Sequence, residues 1–291
     1  MKKRKTLKEL TLMDRFLFAE AMEDTQTFEN FLSILLERDI HLQHPPQTEK
    51  EFRNHTSKRS IRVDIYAHDE DDIIYDAEAQ RENHHNLPKR SRFYQGVIDC
   101  NLLEPGEIDY NKLNDTYIIF ITPFDYFGKG FYRYTFKEMC TEDPAVLLED
   151  GTTRIFFNTR GTIKNGISDE SIALLQYIEH ASTSLPTSDR LQQIDDRIEQ
   201  LKENEEVRVR FMQAWEEKIY DRLEGEKIGL QKGLNSTRKN LSLLLKSRGT
   251  IPQQLEDKIQ QEDDLDVLDS WFMLAIECQS VDEFLEKMNT L

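Results

Sequence analysis

The sequence predicts a mixed α/β domain, in which helices flank a sheet, followed by a helical C-terminal extension. Two observations predict this fold class. Between residues 61 and 158, short segments with alternating or β-branched apolar residues are separated by turn residues, which is typical of strands. After residue 186, apolar residues recur every three or four positions and no strand pattern returns, so the end of the chain is expected to be helical.

The first third of the chain is predicted to form helices and then a β-hairpin. Residues 7–37 repeat apolar side chains at helical spacing, which indicates one or two helices. Residues 43–57 are polar and contain two adjacent prolines, so we expect a loop there. Residues 62–80 form two alternating runs around the acidic stretch 69–72, and this pattern predicts a hairpin with a turn at those four acids.

The middle of the chain continues the α/β pattern. Residues 116–122 are β-branched or aromatic, which favours a buried strand beside the hairpin. Further helices and strands are expected at residues 87–103, 131–136, 153–158 and 169–181. These elements complete a sheet domain that we place at residues 1–185.

The C-terminal third is predicted to be a long amphipathic helix and then a small helical element. Leu191, Ile194, Ile198 and Leu201 step by three and four, and Met212, Trp215 and Ile219 resume the register. We therefore assign residues 186–248 to one amphipathic or coiled-coil helix and residues 249–291 to short helices at 253–261, 264–278 and 281–288. Either self-association as a homo-oligomer or packing back on the domain would bury the apolar stripe.

Three glycines interrupt this long helix at spacings of four. Gly225, Gly229 and Gly233 share one helical face, and each glycine weakens a helix by about 1 kcal/mol relative to alanine. They indicate either close helix packing or a soft segment. A nucleotide site is disfavoured, because the strand-to-helix glycine loop that phosphate binding needs is absent from the sequence.

Composition excludes several classes of protein. The chain has 291 residues, no apolar run of the ~18 residues that a membrane span requires, and no apolar core after its basic N-terminus. Its three cysteines, at positions 100, 140 and 278, are odd in number and widely spaced, which is typical of reduced thiols. We expect a cytoplasmic protein without membrane association.

Charge argues against a general nucleic-acid coat but leaves a local site open. The net charge is −17, and phosphate binding depends on basic surface. The hairpin is nevertheless bracketed by bases, which either form a basic rim or balance nearby acids: Lys58, Arg59, Arg62, Arg81, Lys89, Arg90 and Arg92.

The hairpin carries the residues with the clearest chemical meaning. Antiparallel pairing brings Asp64, near the start of the first strand, beside Glu78, near the end of the second. Gln80 shares the face of Glu78, because residues two apart in a strand point the same way. Close carboxylates repel unless a positive charge lies between them, and oxygen ligands suit Mg²⁺ or Mn²⁺. The alternative is a pair of solvated surface acids, which is common in an acidic chain.

An Asp, a hairpin and then Glu78-Ala79-Gln80 resemble the PD-(D/E)XK nuclease core, in the variant found in the Rpn family of recombination-promoting nucleases and transposases. Five further segments resemble the same family: residues 12–20, 32–36, 89–94, 117–130 and 157–161. Together with the hairpin they cover roughly residues 7 to 180. The resemblance implies a restriction-endonuclease-like core and a metal-dependent DNA endonuclease.

The resemblance also implies roles for individual residues. Asp64 and Glu78 would hold the metal, with the backbone carbonyl of Ala79 as a third ligand. Gln80 stands where the family pattern has lysine; it can orient a water but cannot act as a base near neutral pH. This departure puts the rate of cleavage in doubt.

Other acids and bases extend the predicted site. Many nucleases of this superfamily carry an acid on the first helix, and Glu20 is the candidate, because it falls in the apolar stripe of residues 12–20, where a metal or an arginine would relieve the cost of burial. A partly exposed edge position is an equal alternative, and Asp14, which would otherwise cap the helix, is the second candidate. Arg92 and Tyr94 would bind a phosphate oxygen, or else form an ordinary structural pair.

The sequence leaves two functions open. The first is a bacterial-type, Mg²⁺-dependent DNA endonuclease that promotes recombination; the sequence does not separate DNA from RNA as the substrate. The second is a catalytically silent descendant of this fold that acts as a binding or scaffolding module through its C-terminal helices. The net charge and the missing lysine favour the second, but the ordered series of family-like segments leads us to predict the first.

Overall fold

The computed structural model describes residues 5–53, 60–186 and 188–288. They form two compact units, Met1–Phe211 and Met212–Leu291. The three-part division that the sequence suggests, with boundaries at 185 and 248, stays a prediction. None of the helices in the described ranges has both the length and the apolar character that crossing a membrane requires.

The first unit contains a six-stranded mixed sheet. Its strands, in chain order, are β1 Gln47–Phe52, β2 Ile61–His68, β3 Ile74–Ala79, β4 Thr116–Thr122, β5 Arg133–Phe136 and β6 Thr152–Asn158. They lie in the order β1-β2-β3-β4-β6-β5, with parallel pairing at β3–β4 and β4–β6 and antiparallel pairing elsewhere. The predicted hairpin is β2 and β3, which places it in the middle of the sheet.

The helices of this unit cover both faces of the sheet. They are α1 Arg15–Met22, α2 Thr25–Leu36, α3 Leu87–Asp99, α4 Asp169–His180 and α5 Asp189–Glu203. Parallel pairing of β3 with β4 requires a crossover, and α3 supplies it. Each face buries its own apolar cluster: Ile119 and Ile121 of β4 belong to the larger one and Ile118 and Phe120 to the smaller one. This two-sided burial explains the continuous apolar run of β4.

One predicted loop is wrong. Residues 43–57 were expected to lack regular structure, but Gln47–Phe52 forms the edge strand β1, which pairs with β2 alone. Its sequence carries no alternation because Phe52 is the one buried side chain in the strand. Residues 54–59 lie outside the described residues, and so do two members of the expected basic rim, Lys58 and Arg59.

The long helix expected at 186–248 is interrupted. The structure has α5, then Asn204 in an extended conformation (φ −76°, ψ 126°), and then α6 Glu205–Lys246. The Oδ1 atom of Asn204 accepts hydrogen bonds from the backbone N–H groups of Glu206 (2.8 Å) and Val207 (3.1 Å). An asparagine in this conformation satisfies the first N–H groups of a new helix, so it starts α6 instead of continuing α5.

The second unit is helical, as predicted. It contains most of α6, then α7 Gln253–Gln261, α8 Leu265–Glu277 and α9 Val281–Met288. Its core is formed by Leu241 and Leu245 of α6 with Ile259, Trp271 and Phe284. Close helix packing does not explain two of the three spaced glycines, because a Cβ at Gly225 or Gly229 would meet nothing within 4 Å among the described atoms.

Candidate active site

The β2–β3 hairpin brings the two predicted carboxylates together. Ile65 pairs with Ala77, and one step further along the strands the backbone N–H of Asp64 donates a hydrogen bond of 2.7 Å to Oε1 of Glu78. Both residues are buried, with 8% of Asp64 and 1% of Glu78 exposed. The alternative of two solvated surface acids is therefore wrong. Because the sheet continues on both sides of this hairpin, the pair lies inside the domain.

Two arginines from different helices supply the positive charge that the carboxylates require. Arg90 of α3 donates to Oε2 of Glu78 and, through its other terminal nitrogen, to Oε1 of Gln80, both at 2.5 Å. Arg15, the first residue of α1, lies 3.2 Å from Oδ1 of Asp64 and donates a 2.6 Å hydrogen bond to Glu49. The sequence pattern does not single out Arg15 or Glu49, because their proximity depends on how α1 and β1 pack on the hairpin.

Burial raises the pKa values of both acids. It raises the pKa of Glu78 to about 8, with the neighbouring Asp64 carboxylate acting in the same direction and Arg90 opposing both. Burial also raises the pKa of Asp64, while Arg15 lowers it. The two arginines thus offset only part of the cost of placing carboxylates in this interior, and a further cation would favour their charged forms.

A third acid, which the sequence analysis did not select, lies on the same strand face. Asp76 is two residues before Glu78 in β3 and is fully buried. Neither of its side-chain oxygens has a hydrogen-bond partner among the described residues. Burial raises the pKa of Asp76 well above 3.8, and the charges of Glu78 and Asp64 raise it further. The spacing of two between acids in an apolar strand was the available signal.

The candidate acids on the first helix are engaged by arginines. Arg210 of α6 contacts both carboxylate oxygens of Glu20, at 3.0 and 2.5 Å, so an arginine relieves the cost of its position. Asp14 immediately precedes α1 and accepts a 2.6 Å hydrogen bond from Arg81, the residue after Gln80. Of the two, Asp14 is the one joined by a direct contact to the end of the hairpin.

On α3 the structure separates the two residues that the sequence grouped. Tyr94 is buried, and the guanidinium of Arg90 lies 4.8 Å from the centre of its ring. Burial raises the pKa of Tyr94 to about 12. Arg92 is exposed and has no ion-pair partner in the described part of the chain. Arg90 contacts the Glu78 carboxylate because its spacing of four from Tyr94 puts it on the buried face of the helix.

The donor set suits a hard divalent cation. Asp64 and Glu78 place two carboxyl groups at the same end of the hairpin, and Asp76 adds two unpartnered oxygens on the strand face of Glu78. Within the described residues, no group of three or more His, Cys, Asp or Glu side chains is arranged to hold a metal. A cation at this place could therefore be held by two side chains, with a backbone carbonyl such as that of Ala79 completing the protein ligands.

Comparison with known proteins identifies the domain. No curated protein and no solved structure matches the chain. Residues 14–158 match the family model of the PD-(D/E)XK nuclease family transposases. This range begins at Asp14, contains the whole hairpin with Asp64 and Glu78, and ends at the last residue of β6. The chain, through these residues, belongs to the PD-(D/E)XK nuclease family transposases.

Proposed function

We propose that the protein is a divalent-metal-dependent DNA endonuclease that hydrolyses phosphodiester bonds and promotes recombination. The observation that carries the proposal is the buried carboxylate pair of Asp64 and Glu78 in the hairpin of a PD-(D/E)XK domain. Burying two adjacent carboxylates opposes folding, and a cation that they bind during catalysis best explains their presence here.

The residues that would hold Mg²⁺ or Mn²⁺ are Asp64 and Glu78, together with the backbone carbonyl of Ala79. The bound ion would polarise the scissile phosphate and stabilise the charge that develops as the bond breaks. Arg15 and Arg90 hold the two carboxylates in place from opposite helices, each through a direct contact. Fixed carboxylates bind a cation with little reorganisation, which is the contribution of the protein itself.

Gln80 has a positioning role in this proposal. Its Oε1 atom accepts from Arg90 and its Nε2 atom donates to the backbone carbonyl of Glu82 at 2.7 Å, so both ends of its amide are engaged. An amide cannot take a proton near neutral pH, so the general base would be hydroxide from solvent or a group on the substrate.

Substrate contacts are proposed for the helix that follows the hairpin. Arg92 is exposed and without an ion-pair partner among the described residues, so it is available to a phosphate oxygen. Tyr94 would act indirectly, by supporting the guanidinium of Arg90. We propose Asp14 as the additional acid of the first helix in preference to Glu20, because Asp14 contacts Arg81 at the end of the hairpin, whereas Glu20 contacts Arg210 of α6.

Nicking of supercoiled plasmid in Mg²⁺, Mn²⁺ or Ca²⁺ tests the proposal. We expect Asp64→Asn and Glu78→Gln to reduce Mg²⁺-dependent nicking by about 100-fold or more, the scale expected when transition-state charge loses its stabilisation. Glu70→Gln is the matched control, because Glu70 is an exposed acid in the turn of the same hairpin. Nicking that persists in either site variant, with the melting temperature unchanged, would exclude this site as the nuclease.

A catalytically silent binding module is the second candidate. Arg90 already donates hydrogen bonds to Glu78 and Gln80, so these side chains have a partner without a metal. The chain also carries a net charge of −17, which opposes DNA binding. The two functions differ in metal binding: a nuclease raises its melting temperature with Mn²⁺ in a manner that depends on Asp64, whereas a silent module does not.

We further propose that the protein associates with itself through its C-terminal helices in the cytoplasm. Met212, Leu223 and Leu230 lie on one face of α6 and are between 41% and 52% exposed. A second copy would cover this face. The three cysteines are free thiols, which supports a reducing compartment.

A further inference from the structure

The second unit contains a concentration of positive charge that the nuclease proposal does not use. The chain as a whole carries a net charge of −17, yet residues 227–255 contain no Asp or Glu. The same segment contains six bases: Lys227, Lys232, Arg238, Lys239, Lys246 and Arg248. A local excess of this size creates a positive potential on an otherwise acidic protein, and such a potential attracts anions.

Several of these bases surround a cavity of about 380 Å³ between α6 and α7. Helix α6 contributes Arg238, Lys239, Ser242 and Lys246, which are spaced by one, three and four residues and so share one face of the helix. Helix α7 contributes Glu256 and Gln260 to the opposite wall. The charged face of α6 therefore forms one wall of this cavity in the second unit.

Two of the lining cations are already held by the protein. Arg238 is 7% exposed and donates to the backbone carbonyl of Glu262 at 2.6 Å and to Asp263 at 2.7 Å. Lys246 donates to Glu256 at 2.9 Å, so the one carboxylate that lines the cavity is balanced by a neighbouring ammonium group. These contacts fix the walls of the cavity without using all of its positive charge.

Two other lining groups are free to bind a ligand. Lys239 is exposed and forms no ion pair with any described residue. Ser242 is 8% exposed, and its hydroxyl is buried without a hydrogen-bond partner in the described part of the chain. Burying a hydroxyl without a hydrogen-bond partner costs about 1–3 kcal/mol of folding free energy. A ligand that accepts a hydrogen bond from this hydroxyl would remove that cost.

We propose that this cavity binds a phosphate group. The Lys239 ammonium supplies the charge, the Ser242 hydroxyl donates from the floor, and the amide of Gln260 donates from the opposite wall. A phosphate group has several acceptor oxygens pointing in different directions, so it can accept hydrogen bonds from donors on two walls at once. The phosphate belongs either to a nucleic-acid backbone or to a small free molecule.

Calorimetric titration of the full-length protein with inorganic phosphate, in EDTA, tests the site. We expect saturable binding to the wild type, at least tenfold weaker binding to Lys239→Gln, and weaker binding to Ser242→Ala. Lys232→Gln is the matched control, because it removes the same charge from an exposed position of α6 outside the cavity. The proposal is overturned if the wild type shows no saturable binding, or if Lys239→Gln binds phosphate as well as Lys232→Gln does.

The anisotropy of a labelled DNA duplex, measured in the same EDTA buffer at fixed salt, then distinguishes the two sources of phosphate. If Lys239→Gln weakens duplex binding several-fold more than Lys232→Gln does, the site holds a nucleic-acid backbone. If both variants bind the duplex equally while only Lys239→Gln has lost inorganic phosphate, the site holds a small phosphate-bearing molecule. This site does not depend on the hairpin, so its test is independent of the plasmid-nicking result.

Discussion

At the scale of single residues, Arg90 is the main hydrogen-bond partner of the side chains in the candidate active site. One guanidinium contacts Glu78 and Gln80 and lies 4.8 Å from the centre of the Tyr94 ring. Glu78 is 1% exposed, so water cannot replace a lost partner there. The sequence places Arg90 among several bases near the hairpin, and only the packing of α3 on the sheet distinguishes it from Arg92.

The difference between these two arginines gives a direct prediction. At pH 9, above the pKa of about 8 of Glu78, we expect Arg90→Ala to lower the free energy of unfolding by about 3 kcal/mol, because it leaves the buried Glu78 carboxylate without its partner. Arg92→Ala, on the exposed face of the same helix, is expected to change it by less than about 0.5 kcal/mol. Urea denaturation in EDTA measures both values.

A second variant separates charge from packing at this position. If the unpaired charge causes the loss, adding Glu78→Gln to Arg90→Ala should restore part of the stability, since the buried group is then neutral. Equal losses for Arg90→Ala and Arg92→Ala would contradict the assignment of Arg90 as the partner of Glu78.

Asp76 is the second residue whose state can be tested. Its pKa lies well above the ordinary 3.8 in the folded protein, so the unfolded chain loses this proton at lower pH than the folded protein does. The contribution of Asp76 to stability is complete below pH 3.8 and is lost as the pH rises toward its raised pKa in the folded state.

Replacing the Asp76 carboxyl with a neutral amide of the same shape should remove the loss of stability that accompanies a rise in pH. We expect Asp76→Asn in EDTA to melt at a higher temperature than the wild type, by a larger margin at pH 8 than at pH 5. Asp71→Asn, in the exposed turn, is the control. A margin that shrinks with rising pH would show that Asp76 is charged and stabilised in the folded protein.

At the scale of elements, a strand or helix can be predicted from the sequence when its apolar residues mark the faces that it buries. Strand β4 was expected at 116–122 and is found at Thr116–Thr122, because burial on both faces makes it apolar throughout. Helix α7 likewise has the predicted bounds, Gln253–Gln261. Strand β1 was missed because pairing of its backbone with β2, and not its side chains, holds it in the sheet.

The break between α5 and α6 was missed for a related reason. The apolar register of residues 191–201 resumes at residues 212–219 after polar positions at Glu205 and Arg208, so periodicity alone predicts one helix. Asn204 ends one helix and starts the next through its own side chain, and this local competition does not alter the spacing of apolar residues.

The glycines of α6 give the prediction for this scale. A Cβ at Gly225 or Gly229 would meet no atom of the described residues within 4 Å, and both glycines lie inside an exposed helix. We therefore expect Gly225→Ala and Gly229→Ala each to stabilise the helix by about 1 kcal/mol, seen as higher helical circular dichroism at elevated temperature.

Gly151→Ala is the contrasting control for this experiment. Gly151 has a positive φ of 76°, and its added Cβ would overlap the Asp115 carboxylate, so this substitution should destabilise the protein. If the α6 substitutions destabilise instead, then the glycines are covered by a partner in solution.

At the scale of the whole molecule, the predictable part of the site is the part made by local pairing. Asp64 and Glu78 meet because a hairpin fixes their register, and a hairpin is visible in the sequence. Arg15 is the first residue of α1 and Asp14 immediately precedes it, so both are far from the hairpin in the chain; the contact between Asp14 and Arg81 spans 67 residues. Sequence spacing gives no information about which base will approach which acid.

Self-association provides the prediction at this scale. Leu223 is 50% exposed and lies on the same face of α6 as Met212 and Leu230. We expect Leu223→Glu to reduce the molar mass measured by light scattering after gel filtration, because a charge would be buried in the interface between copies. Tyr220→Glu is the control, since Tyr220 is 72% exposed and lies to the side of that face.

The outcome of this experiment has a clear interpretation. A wild type that elutes as a monomer at all concentrations would contradict the proposed association, and equal effects of both substitutions would indicate a general effect of added charge.

Because Arg90 donates hydrogen bonds to both Glu78 and Gln80, the effect of a substitution at position 80 depends on the residue at position 90. A lysine introduced at position 80 would place its ammonium group against the guanidinium of Arg90, and like charges in a part-buried site repel. The single substitution Gln80→Lys is therefore unfavourable in this background, although it restores the commonest residue of the motif. Its effect depends on what occupies position 90, so the two positions are epistatic, and a variant library that changes them one at a time would miss the compatible combinations.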